Sequence, residues 1–131
     1  MKAVTLQTSG ENRGHYVPGM IAGGMLYISG QLSLDPVTRK VAEGGIREHM
    51  RQALANLDAV LRAAGVTRRY VLQCRVYIAG IGGWDDANDE YRNFFGDHKP
   101  ARIIVSTQEL HFGCLVEIEA VAECAQKGAE S

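Results

Sequence analysis

Two residues in the last third of the chain are of types suited to chemistry. Arg102 lies in Pro100-Ala101-Arg102, and Glu117 lies in Val116-Glu117-Ile118-Glu119, fifteen positions later. A guanidinium holds a carboxylate through two parallel charge-assisted hydrogen bonds. A carboxylate in turn steers or deprotonates a water. Placed on neighbouring strands joined by a short turn, the pair would make a small pocket that hydrolyses something acidic. Spacing alone leaves plainer readings open. Arg102 also reads as a surface arginine lying over branched aliphatic neighbours, and Glu117 and Glu119, on one face of a strand, read from spacing alone as solvated sheet surface.

Other positions are weighed in the same way. Tyr16 sits in a loop punctuated by glycine and proline, where simple packing and ligand contact are both open. Ser29-Gly30 ends a strand, and a glycine there either makes an ordinary turn or exposes backbone to a ligand. Asn88 falls within an apolar helical stripe and needs a hydrogen-bonding partner. His15, His49, His98 and His111 have no metal-like spacing, and His49 is placed on a polar helix face, so no metal site is expected. Cys74, Cys114 and Cys124 share parity with apolar faces and are expected to be buried, inert thiols. No dinucleotide fingerprint, phosphate loop or serine-hydrolase elbow occurs.

The elements that must position these residues follow from periodicity. Short strands are expected at Val4–Leu6, Met20–Ala22 and Met25–Ser29, with Gly23-Gly24 as a tight hairpin. Ile46, Met50, Ala53, Leu54, Leu57, Val60, Leu61 and Ala64 recur at three and four, which predicts a helix closed by Gly65 in a left-handed cap. Tyr70–Ala79 alternates with period two, putting Leu72, Cys74, Val76 and Ile78 on the apolar face. A second helix is predicted from Trp84 to Phe95, with Asp85 and Asp86 at its positive end and Gly96 as its stop. Strands at about 101–107 and 114–123 complete a two-layer α+β domain. Ile103, Ile104 and Val105 in a row suggest burial on both sides, hence an oligomer.

Composition bounds the rest. The chain has 131 residues, 46% hydrophobic and 22% charged, with a net charge of −1. That suits one globular domain over residues 1–124, with a small, polar tail from Ala125 to Ser131 expected to fray. Near-neutral charge leaves no electrostatic footprint for nucleic acid or an anionic membrane. An odd set of cysteines, and an N-terminus without a long apolar stretch, point to a reduced, cytoplasmic protein.

Four ordered blocks resemble the reactive intermediate deaminase family, also called RidA or YjgF and named endoribonuclease L-PSP. Gly14-His15-Tyr16-Val17-Pro18-Gly19 is similar to its Gly-Pro-Tyr loop, and Tyr27-Ile28-Ser29-Gly30-Gln31 to its Ser-Gly-Gln strand end. Asn88 to Phe95 resembles its Asn-x-x-Tyr-x-x-Phe-Phe helix, and Pro100-Ala101-Arg102 with Val116-Glu117-Ile118-Glu119 its signature. The resemblance implies a chorismate-mutase-like fold: a two-layer sandwich of a mixed sheet with two helices on one face, assembled as a trimeric barrel with pockets between subunits. It implies hydrolysis of small 2-imino acids and enamines, such as 2-aminoacrylate or 2-iminopropionate, to 2-keto acids and ammonia, without a cofactor. Arg102 would then clamp the substrate carboxylate and Glu117 hold the water. Tyr16, Ser29 and Asn88 would line the pocket, with backbone at Gly30 and Ile104 near the imine nitrogen. A non-catalytic small-acid-binding regulatory module and a ribonuclease or translation inhibitor are the alternatives. The chain departs from the family pattern at Ile103 and Ile104, where Ser and Cys are usual, at His15, where proline is usual, and at Gln108.

Overall fold

The computed structural model describes residues 1–7 and 14–125. Its strands are β1 (Lys2–Val4), β2 (Gly19–Ala22), β3 (Met25–Leu32), β4 (Val71–Ala79), β5 (Ala101–Thr107) and β6 (Val116–Glu123), with helices α1 (Ile46–Ala63) and α2 (Trp84–Phe95). The strands form one sheet in the order β1-β2-β3-β6-β4-β5. Among the described residues only β4 and β5 run parallel, and the other pairings are antiparallel. The sheet is therefore mixed, and the architecture is α+β. Of the expected tail, all but Ala125 lies outside the described residues.

Local chemistry explains where the elements begin and end. Gly23 and Gly24 both have positive φ, 59° and 75°, which a two-residue hairpin with the right-handed strand twist requires. At the start of α1 the Glu48 carboxylate accepts the Gly45 N–H at 2.8 Å, satisfying one of the donors a helix start leaves open. At its end Gly65 (φ 82°) donates to the Arg62 carbonyl, and Val66 donates to that of Leu61 at 3.0 Å. This is the left-handed closure expected from the glycine.

Both helices cover one face of the sheet. Met50, Leu54, Leu57 and Leu61 from α1 and Ala87, Tyr91 and Phe95 from α2 pack on Leu26, Ile28, Val76, Ile78, Val116 and Ile118. The helices are also pinned to each other by charge. Glu90, buried on α2, accepts from Arg51 Nε at 2.9 Å and from Arg47 Nη1 at 3.2 Å on α1. Those guanidiniums, Arg51 first, hold its carboxyl below the usual range despite the burial.

Three expectations need correction. The first strand ends at Val4 instead of continuing to Leu6, because Val4 opposite Gly19 is the last residue paired to β2. Leu72 is 45% exposed while Val71 is fully buried. A register shift between Val71 and Gln73 inverts the alternation there, as a bulge does. His49 is not on a solvated face: it is 3% exposed. The loop that joins β3 to α1, which carries a bridge between Leu34 and Val41, covers the start of the helix.

Candidate active site

Arg102 enters at the second residue of β5, an edge strand, level with Cys74 of β4 and on the helix-covered side. The turn leading to it is fixed by Gly96 (φ 62°), which closes α2, and by His98, whose ring nitrogen lies 2.6 Å from the Val71 carbonyl. Its guanidinium donates from Nη1 to Asn88 Oδ1 at 2.7 Å. Its Cζ lies 4.8 Å from the Tyr91 ring centre and 5.5 Å from that of Trp84. Trp84, Asn88 and Tyr91 recur at four and three on α2, so one helical stripe forms the whole seat. The partner that Asn88 required is thus Arg102. Nothing acidic lies within ion-pairing reach of Arg102 among the described residues, whereas Arg47, Arg51, Arg62, Arg68, Arg75 and Arg92 each have a carboxylate.

Glu117 sits on β6, opposite Leu32 of β3 and Tyr77 of β4, on the face without helices. The β3 ladder shifts register between Ile28 and Gln31, and Gly30 falls in that irregularity. The Glu117 side chain lies across Gly30 so closely that a Cβ added there would come 3.0 Å from Glu117 Cδ and into its carboxylate. Burial pushes the Glu117 carboxyl above its usual range, the negative charge of Glu119 adds to this, and His111 opposes it. Glu119 is paired with Arg75 at 2.9 Å on the same face.

Ser29 is committed to holding the Tyr16 loop. Its hydroxyl donates to the Val17 carbonyl at 2.7 Å, and its N–H to that of Pro18 at 3.0 Å. Tyr16 is 54% exposed at the tip of this loop. Ile104, level with Val76, packs its side chain against the core, so only its backbone faces the sheet edge. The three cysteines are buried, and burial raises the Cys74 thiol to about 11, which leaves it inert.

The structure does not bring Arg102 and Glu117 together within one protomer. They are not on neighbouring strands, because β4 lies between β5 and β6. Residues level with Cys74 face the helices, and residues level with Tyr77 face the other way, so the two side chains point to opposite sides of the sheet. Three residues along β4 and two strands across place their backbones about 14 Å apart. The sequence reading placed Arg102 and Glu117 in one pocket; the structure instead seats Arg102 on Asn88 and sets Glu117 against Gly30. That reading missed His111, which lies six residues before Glu117 and packs tilted against Phe112 with ring centres 3.7 Å apart. It also missed the buried contact between His49 and Ser33, at 2.6 Å.

Known proteins arrange the same elements in the same way. The family model for endoribonuclease L-PSP matches residues 7–124. A RutC family protein of Pyrococcus horikoshii is 38% identical over 109 residues, 83% of this chain and 86% of that protein. A 2-iminobutanoate/2-iminopropanoate deaminase of Bos taurus is 37% identical over 109 residues, 83% of this chain and 80% of the bovine protein. Among solved structures, E. coli TdcF with bound serine superposes with a TM-score of 0.87 at 28% identity, covering 95% of this chain and 100% of that one. The YjgF gene product of E. coli does so with a TM-score of 0.87 at 29% identity, over 95% and 100% of the two chains. With this match over nearly its whole length, the chain belongs to the endoribonuclease L-PSP family, the RidA/YjgF proteins.

Proposed function

We propose that this protein hydrolyses small 2-imino acids and their enamine tautomers to 2-keto acids and ammonia, at sites shared between the subunits of a homotrimer. One observation carries the reading. Arg102 is half-buried, oriented by Asn88 and two aromatic rings, and has no acid of its own among the described residues. A guanidinium held in this way has the shape and charge to take an incoming carboxylate through both arms of its fork. The deaminase names of mammalian relatives support the reaction class, and the serine in TdcF supports a ligand of amino-acid size. A chorismate-mutase-like trimeric barrel and a cytoplasmic location belong to the same reading.

The opposed faces of Arg102 and Glu117 make a second copy necessary. In the proposed site Arg102 of one protomer binds the carboxylate and Glu117 of the partner subunit takes a proton from water. The water oxygen bonds to the imine carbon, the C=N electron pair moves to nitrogen, and the nitrogen is protonated, giving a carbinolamine. The C–N bond then breaks with its pair on nitrogen while the hydroxyl gives up its proton. Ammonia and the 2-keto acid leave, and water is the only co-reactant. Tyr16 and Ser29 shape the entrance, and backbone at Gly30 and Ile104 lies near the imine nitrogen. Positioned proton transfer of this kind contributes about 10²–10⁴ in rate.

The test couples the protein to a dehydratase that makes 2-iminobutanoate and follows 2-keto acid release. The wild-type protein should accelerate release. Arg102→Ala should lose about ten- to a hundredfold or more, in line with about 1.5–3 kcal/mol for each hydrogen bond to a charged group, while keeping its oligomeric state. An Arg102→Ala protein that retains most of the rate refutes the clamp. Binding of 2-ketobutyrate with no acceleration by the wild-type protein would replace the enzyme with a small-acid-binding module.

A further inference from the structure

His49 lies in the second turn of α1, yet its ring is enclosed by three segments from elsewhere in the chain. Ser33, directly after β3, is fully buried, and its Oγ lies 2.6 Å from His49 Nδ1. The Leu115 N–H, at the entry to β6, donates to the same nitrogen at 3.1 Å. The Ala42 carbonyl, on the loop between β3 and α1, lies near enough to favour a proton on the ring. These contacts fix the tautomer. An amide N–H only donates, so Nδ1 carries no proton, and the proton of the neutral ring sits on Nε2. Ser33 must then donate its hydroxyl proton to the nitrogen that Leu115 uses.

The surroundings of Glu117 give this arrangement its consequence. Leu115 is two residues before Glu117, and Ser33 follows Leu32, the β3 residue level with Glu117. The Leu115 carbonyl is held by the Ala79 N–H at 2.9 Å. Its amide is held by a side chain on a helix and not by a strand. The two segments that flank Glu117 are therefore tied to one imidazole behind the sheet. We propose that His49, with Ser33, is a positioning residue that sets the entry of β6 and so the height of the Glu117 carboxylate over Gly30. This rests on the reading of Glu117 as the group that holds water. A displacement of about 1 Å at such a group costs up to about a hundredfold in rate.

Three variants and two kinds of readout test it. His49→Leu removes the acceptor and should lower kcat by about ten- to a hundredfold. KM should stay within about twofold, because Arg102 and its seat on α2 are untouched. His49→Asn puts an amide oxygen near the place of Nδ1 and should recover most of kcat. Backbone amide exchange at residues 115–117 should quicken in His49→Leu and return toward the wild-type rate in His49→Asn. If His49→Leu does not fold, Ser33→Ala read by the same measurements decides. A folded His49→Leu with unchanged kcat and exchange overturns the inference, and so does a His49→Asn no better than His49→Leu. Glu117→Gln separates the two levels. If it keeps full deaminase activity, the role of Glu117 fails, while the exchange data still decide whether His49 holds the strand.

Discussion

A carboxylate that is to take a proton from water must be ionised, and the surroundings of Glu117 work against that. Burial raises its pKa, the nearby charge of Glu119 raises it further, and only His111 pulls it down. Activity that depends on the ionised form is lost as pH falls through this raised value, so the acid limb of the kcat/KM profile should lie above the ordinary carboxylate range. Glu119→Gln removes the like charge and releases Arg75, its 2.9 Å partner, and both changes favour the Glu117 anion. The limb should move to lower pH in that variant, and a profile that stays where it was would remove Glu117 from the rate law. At this scale residue types were legible in the sequence and environments were not. Arg102, Glu117 and Asn88 stood out as chemical groups. The absence of an acid beside Arg102 among the described residues, and the opposing influences of Glu119 and His111 on Glu117, are facts of three-dimensional neighbourhood.

At the scale of elements, the β3 irregularity does the most for the site. It sets Gly30 against the Glu117 side chain, where a Cβ would meet Cδ at 3.0 Å and Cγ at 3.3 Å. The atoms in the way belong to a flexible side chain and not to backbone, so Gly30→Ala should fold with a melting temperature near the wild-type value. The carboxylate should nevertheless swing away, and turnover should fall by about tenfold or more. Thermal melts measured beside initial rates check both halves, and an unchanged rate would show that the close approach is incidental. The second helix was legible to the residue and the first in its apolar stripe and closing glycine, because the stripes repeat at 3.6 and glycines mark the ends. The start of β4 was not, since period-two counting carries no sign of the shift that buries Val71 and exposes Leu72. His49 was misplaced for a related reason: a helical wheel knows the sheet but not the loop that folds back over the first turns.

At the scale of the molecule, Arg102 and Glu117 lie on opposite sides of one protomer's sheet, so the proposed site needs two copies to unite them. Mixing inactive Arg102→Ala and Glu117→Gln proteins, unfolding them and refolding them together should therefore restore activity. With random assembly about a quarter of the interfaces unite an intact Arg102 with an intact Glu117. No recovery, with mixed oligomers demonstrated by mass, would place both residues of each site in one subunit and refute the shared pocket. The edge position of β5, with Ile103 45% exposed, agrees with a strand that finds its second neighbour in another copy. The amino-acid order alone settled which groups are present and which local segments coil or extend, since both depend on side-chain type and on spacing along the chain. The tertiary structure decided that β4 separates β5 from β6, which side of the sheet each group faces, and that a helical histidine holds the strand leading to Glu117. Those outcomes depend on strand order and register, which long-range packing sets and no local pattern encodes.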